Sequence, residues 1–200
     1  MTNTRVFVAV DISEAVRQRA CDLIRRLRAS DARVTWVKPE NMHMTLKFLG
    51  EQTDESVATI CRVVMAAARD VSPFDFECHG AGAFPNCRRP RAVWLGVREG
   101  TSSLQQLHRH IEKKLIEQGY KQERRGYHPH LTLGRVREGG RAAEELGDLV
   151  SKAQDFQAGV VHAEDVIVFG SHLQRSGARY DVLARAPFGG QQAPDVVTDS

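Results

Sequence analysis

Runs of apolar residues change period along this chain, and each change predicts an element. Residues 5–12 (RVFVAVDI) are apolar and β-branched, which predicts a central strand. Ser13 follows as a helix N-cap, and Val16, Ala20, Leu23, Ile24 and Leu27 recur at helical spacing to about residue 28. Residues 33–38 predict a short strand, and Pro39-Glu40-Asn41 a turn. Residues 41–50 (NMHMTLKFLG) then alternate polar and apolar with period two, the mark of a half-buried strand, and Gly50 is expected to end it. A second helix spans 54–69, with Val57, Ile60, Cys61, Val64 and Ala68 as its apolar stripe.

Strands are predicted at 74–84, loosened by Gly80 and Gly82, and at 92–97. Between them lie a turn at Pro85-Asn86 and a basic loop, residues 87–91 (CRRPR). A helix over 104–118 buries Leu104, Leu107, Ile111, Leu115 and Ile116 and stops at Gly119 as its C-cap. Residues 127–135 (YHPHLTLGR) repeat the period-two alternation. A Gly-rich link, a short helix near 142–151 and strands near 156–161, 165–169 and 178–186 follow, the last two joined around Gly177. From Gly189 the chain is polar and rich in Gly, Gln and Asp, which predicts a disordered tail.

Helices of ordinary length thus separate strands in both halves. That order predicts an α+β fold of two pseudo-symmetric lobes, each an antiparallel-rich sheet with outer helices, around a central cleft. The expected division is one bilobal domain over residues 1–188 and a tail over 189–200.

Composition narrows the setting. A hydrophobic content of 42% over 200 residues suffices for one core or two small lobes. The formal net charge of +3 is compatible with an anionic substrate without establishing nucleic-acid binding. No apolar run reaches the roughly 18 residues of a membrane span. The N-terminus enters a strand pattern directly, without the features of a signal peptide. A cytoplasmic monomer, off the membrane, is expected. Cys21, Cys61, Cys78 and Cys87 form no Cys-x-x-Cys pair and read as reduced structural thiols.

The two period-two stretches share the order His, apolar, Thr, Leu, and their histidines stand 130 − 43 = 87 residues apart. On a strand, residues i and i+2 share a face. His43 and Thr45 therefore point one way, as do His130 and Thr132, while Met44, Leu46, Leu131 and Leu133 enter the core. An imidazole, with an unperturbed pKa near 6.5, both removes and donates protons near neutrality. One on each wall of a cleft makes the acid–base pair that in-line displacement at phosphorus needs, with the Thr hydroxyls donating to non-bridging oxygens.

A single strand histidine is more often structural; it is the duplication that favours chemistry here. Zinc is a competing use, because His128-Pro129-His130 resembles a His-x-His ligand pair. No third ligand stands at a matching position near His43, so neither metal nor cofactor is expected, and His128 is read as supporting. His79, His108, His110, His162 and His172 are read as non-catalytic. Lys47, on the face of His43 and Thr45 by alternation, either reaches a phosphate or closes a salt bridge. Phe48 either stacks on a base or joins the core. Arg135 points away from His130 by strict alternation unless a bulge after Gly134 re-aims it towards phosphate. Arg88, Arg89 and Arg91 either guide an RNA backbone or form an ordinary exposed loop.

At these residues the chain resembles the two-histidine (2H) phosphoesterase superfamily and, within it, the bacterial RNA 2′,3′-cyclic phosphodiesterases once named 2′-5′ RNA ligases. The resemblance extends from RVFVAVDI through WVKPENMHMTLKFLGE, GAFPNCRRPRAVWLGV and HPHLTLGRV to LQRSGARYDVLARAPF, nearly the whole chain. It implies metal-independent hydrolysis of 2′,3′-cyclic phosphate, on RNA ends or small cyclic nucleotides, to a 2′-phosphate. It further implies that His43 is the general acid, His130 the general base, Thr45, Thr132 and Arg135 the phosphate contacts, and Phe48 a neighbour of the base. Joining of a 2′-5′ linkage would be the same reaction reversed, as a side activity.

Overall fold

Each change of period in the sequence corresponds to an element of the computed structural model, which describes residues 3–123, 126–174 and 177–189. In chain order these are β1 (Thr4–Val10), α1 (Glu14–Leu27), β2 (Val34–Trp36), a 3₁₀ turn (Pro39–Asn41), β3 (Met44–Gln52), α2 (Asp54–Arg69), β4 (Phe74–Phe84), β5 (Ala92–Val97) and α3 (Thr101–Glu117). β6 (Leu131–Val136), α4 (Arg141–Lys152), β7 (Gln157–Ala163), β8 (Asp165–Gln174) and β9 (Gly177–Pro187) complete the chain. Apart from Gly189, the expected tail lies outside the described residues.

Local chemistry sets the helix ends. The Ser13 hydroxyl accepts from the Val16 N–H at 3.3 Å, and Thr53 does the same for Ser56. Gly119, at φ +85°, ends α3 as expected. β3 runs past Gly50, where a φ of +72° lets the strand bulge rather than stop. The β8–β9 hairpin is longer than predicted, because β9 is a mostly exposed edge strand whose alternation is weak.

Both lobes belong to one antiparallel sheet, ordered β7-β4-β5-β6-β3-β1-β8-β9, with β2 paired to β6 off that path. The order is symmetric about its centre: β6 matches β3, β5 matches β1, β4 matches β8, and β7 matches β9. At the centre, among the described residues, β3 and β6 meet in register at Met44 and Leu131 alone. The sheet curls there and leaves the cleft.

The helices cross between halves. α1 follows β1 yet packs on β7 of the other half, while α3 follows β5 and packs on α2, which covers β8 and β9. Periodicity marks each helix's apolar face but not the half of the sheet that receives it. Val8, Leu46, Leu95 and Leu133 from the sheet and Leu23, Ile60, Leu104 and Leu146 from the helices are at most 2% exposed in one core. Burying each such side chain contributes roughly 1.5–3 kcal/mol.

Candidate active site

Both histidines stand one residue before their strands, since β3 begins at Met44 and β6 at Leu131. Both strands then bulge at the same place. In β3, Thr45 pairs with Ala9 and Lys47 with Val8, so Leu46 is the extra residue. In β6, Thr132 pairs with Trp94 and Gly134 with Val93, so Leu133 is the extra residue. A bulge reverses the alternation beyond it. Phe48 and Arg135 therefore turn into the cleft, and Lys47 and Gly134 turn away from it.

This corrects the placement of Lys47 among the substrate-binding residues. Its ammonium is 2% exposed, 3.0 Å from the Glu112 carboxylate and 3.2 Å from the Lys121 carbonyl. Strict alternation misplaced it because the bulge cannot be seen in the alternation itself. The matching bulge in β6 resolves Arg135 in favour of the cleft. At Gly134 a Cβ would come within 2.7 Å of the Trp36 and Val34 side chains, so no larger residue fits there.

The cleft holds a cavity of about 760 Å³, with Thr45, Phe48, His128, His130, Thr132 and Arg135 in its lining. That is nucleotide-sized. His43 lies beside this cavity rather than in its wall. Its ring stacks on Phe7 at 4.7 Å, meets the edge of Tyr180 at 5.4 Å, and lies 5.8 Å from Phe169. Phe7 in turn lies 5.8 Å from Phe48 in the cavity wall. On the other wall, Phe84 meets His130 edge-on at 5.0 Å, and Trp94 lies against His128 at 5.4 Å.

The surroundings set the protonation of both imidazoles. His130 Nδ1 lies 2.7 Å from the His128 carbonyl. A carbonyl only accepts, so Nδ1 carries the proton and Nε2 keeps its lone pair for the cleft. His128 thus supports His130 through its backbone. The backbone of Asn41, two residues before His43, likewise favours the protonated imidazole there. Burial among aromatic rings lowers His43 to about 4, against smaller opposing effects of Asn41 and Asp11. Burial also lowers His130, aided by the positive charge of Arg135. That charge acts on Tyr180 as well, so Arg135 is felt on both walls.

Several supporting residues carry little signal in the sequence. Arg17 Nη2 pairs with Asp11 at 2.9 Å, and Nη1 donates to the Met42 carbonyl at 3.2 Å and to that of Pro39. These bonds fix the turn that delivers His43. The one cue is a cation near the N-terminus of a helix, where the dipole disfavours it. Trp94 lies against Gly82, where a Cβ would come within 2.2 Å of the indole; that glycine seats the ring rather than loosening β4. Tyr180 and Phe169 reach His43 only through the sheet, from far along the chain.

Among the described residues no three His, Cys, Asp or Glu side chains are grouped to hold a metal ion. The His128 and His130 rings are 6.4 Å apart. His108 lies outside the cavity, stacked on Tyr127 at 4.3 Å.

Residues 5–165 match the family described as the 2′-5′ RNA ligase superfamily. The chain is 37% identical over 176 residues to the RNA 2′,3′-cyclic phosphodiesterase of Methanothermobacter thermautotrophicus, covering 88% of this chain and 94% of that one. It is 33% identical over 186 residues to the enzyme of that name from Thermotoga maritima, covering 93% and 96%. Among solved structures, it resembles E. coli LigT complexed with 3′-AMP at a TM-score of 0.74 and 25% identity, covering 94% of this chain and 99% of that one. A Thermus thermophilus protein shares the fold at a TM-score of 0.78 and 23% identity, covering 94% and 100%. By the length matched and the two motifs within it, the chain belongs to the 2′-5′ RNA ligase superfamily.

Proposed function

We propose that this protein is an RNA 2′,3′-cyclic phosphodiesterase that opens cyclic phosphate ends to 2′-phosphates without a metal. The single observation that carries this reading is the pairing of two His-x-Thr motifs across one cleft, with Arg135 in its lining. The names of the relatives support it.

In this reading His130 Nε2 takes a proton from water as the water oxygen bonds to phosphorus. The P–O3′ bond breaks in line, and His43 gives its proton to the departing O3′. Thr45, Thr132 and Arg135 hold the non-bridging oxygens as charge develops on them. His43 is neutral in the empty site; a bound phosphate anion raises its pKa and lets it enter the reaction protonated. Reversal would join a 2′-5′ linkage, and bulk water keeps that a side activity.

No helix of the described residues is long and apolar enough to cross a membrane. We place the protein in the cytoplasm, a reading supported by its four free thiols, and read it as a monomer.

The test is hydrolysis of a 2′,3′-cyclic nucleotide in EDTA by the wild type, His43→Ala and His130→Ala, with the product isomer identified. A 2′-phosphate from the wild type, and a loss of roughly 10²–10⁴ in rate in each variant, is the expected result. Near-normal turnover by either variant would refute the acid–base pair. Activity lost in EDTA would refute metal independence.

A further inference from the structure

Beside the cleft lies a second cavity of about 740 Å³, and the two share Pro85 and Arg91 in their linings. They are therefore adjoining parts of one surface. The second cavity carries the guanidinium groups of Arg88, Arg89, Arg91 and Arg137, all on exposed residues. Among the described residues, none of the four has a carboxylate within 4.0 Å. Two acidic residues border it. Glu138 is engaged by Arg33, and Glu144 stands on the first turn of α4.

The loop bearing Arg88, Arg89 and Arg91 is tightly held, and Arg137 follows β6 beside it. Asn86 Oδ1 accepts from the backbone N–H groups of Arg88 and Arg89, both at 3.1 Å. The Arg91 N–H donates to the Phe84 carbonyl at 2.7 Å, and the Val136 N–H donates to the Arg91 carbonyl at 3.0 Å. Gly147 of α4 packs so closely on the Cys87 carbonyl that a Cβ there would overlap it. Four cations without a carboxylate partner, one of them (Arg137) held by the Thr35 hydroxyl, outnumber the two acidic residues of this surface and repel one another. A line of anions would relieve that repulsion.

We propose that this groove binds the phosphodiester backbone of an RNA strand whose cyclic phosphate end occupies the cleft, so that the substrate is an oligonucleotide end rather than a free nucleotide. This inference rests on the proposed reaction. A strand ending in a 2′,3′-cyclic phosphate continues only from the 5′ side of its terminal nucleoside. It must leave the cleft by one route, and the Pro85–Arg91 junction opens onto the basic groove. Arg135 faces the reacting phosphate, Arg91 the junction, and Arg137, Arg88 and Arg89 the phosphates beyond. Such contacts position a strand without reading its bases.

The test compares a cyclic mononucleotide with a short RNA ending in a 2′,3′-cyclic phosphate, for the wild type and Arg88→Gln/Arg89→Gln. Neither substituted residue lines the cleft. Expected for the double variant are unchanged turnover of the mononucleotide and a KM for the oligonucleotide raised about tenfold. The slope of log KM against log salt for the oligonucleotide should flatten by roughly 0.7 for each phosphate that is no longer neutralised. Oligonucleotide KM and salt slope equal to wild type would overturn the groove.

Binding of a labelled, uncleavable RNA ending in a 2′-phosphate, followed by anisotropy, separates the two readings. Wild type that turns over neither substrate would sink the proposed reaction. The groove would then stand if the double variant bound this RNA more weakly than wild type, and fall if the two bound alike.

Discussion

Phe48 and Arg135 occupy the same position in the two halves of the sheet. Each stands five places after its histidine, 48 − 43 and 135 − 130, and each is turned into the cleft by a bulge at the leucine after the threonine. A symmetric scaffold thereby presents an aromatic face on one wall and a guanidinium on the other. Phe48 is 59% exposed and lines the cleft, where its ring face is open to a base. Stacking a base on an aromatic ring contributes roughly 1–3 kcal/mol. Phe48→Ala should therefore raise KM for a cyclic nucleotide about tenfold and leave kcat nearly intact. Arg135→Met should instead lower kcat, because its charge matters most as the phosphate oxygens gain charge. Steady-state kinetics on both variants checks the division, which fails if Phe48→Ala lowers kcat as far as Arg135→Met does.

The buried imidazoles set the pH response. In free enzyme, His130 must be unprotonated and His43 protonated, and burial pulls both below 6.5, His43 to about 4. Both limbs of the kcat/KM profile should then fall on the acid side of 6.5, the lower one near 4. The kcat profile should extend to higher pH, since a bound phosphate anion raises His43. A kcat/KM optimum above pH 7 would mean that burial does not govern the pair. Stability should respond over the same window. A histidine depressed in the folded state leaves the unfolded chain to bind protons first, so stability is full above pH 6.5 and is lost as pH falls towards 4. Removing that proton with His43→Asn should flatten the acid-side loss by up to about 1.4 kcal/mol per pH unit.

Much of this site was legible because its chemistry is duplicated. His43, Thr45, His130 and Thr132 were readable as two copies of one spacing, and the helices from their apolar stripes. The bulges were not, because Leu46 and Leu133 are ordinary strand residues whose extra place exists only relative to β1 and β5. Hence Lys47 was misplaced and the aim of Arg135 stayed open. The aromatic setting of His43 was equally hidden. Phe7, Phe169 and Tyr180 meet around it only after β1, β3, β8 and β9 assemble. The crossing of α1 and α3 between halves leaves no mark in the amphipathic pattern.

Lys47 and Glu112 carry a stability prediction. Burial pushes the Glu112 carboxyl up, but the Glu123 N–H and Lys47 outweigh it and hold the carboxyl below its usual range. Lys47→Met would strand that carboxylate in the interior, at a cost of about 3 kcal/mol. Lys47→Met combined with Glu112→Gln should recover much of the loss, because the amide oxygen still accepts from the Glu123 N–H. Urea melts of the two single variants and the double variant measure the coupling. Purified, folded Lys47→Met should keep its kcat. A loss of turnover with unchanged stability would return Lys47 to the substrate's side.

Arg17 should act as a positioning residue for His43. Its fork ties Asp11 to the carbonyls of Pro39 and Met42 and so anchors the turn before His43 to α1. Its positive charge also depresses the His43 pKa, while Asp11 raises it. Arg17→Met should loosen the turn and lower kcat by roughly 10–100-fold, the cost of a reacting group misplaced by about 1 Å. It also leaves Asp11 unopposed, so the His43 limb of kcat/KM should move to higher pH. Arg17→Lys keeps the charge but cannot span the same acceptors. It should lower kcat with a smaller shift of that limb. A purely structural role predicts lost stability and an unmoved limb in both variants, so the limb in Arg17→Met decides between the two.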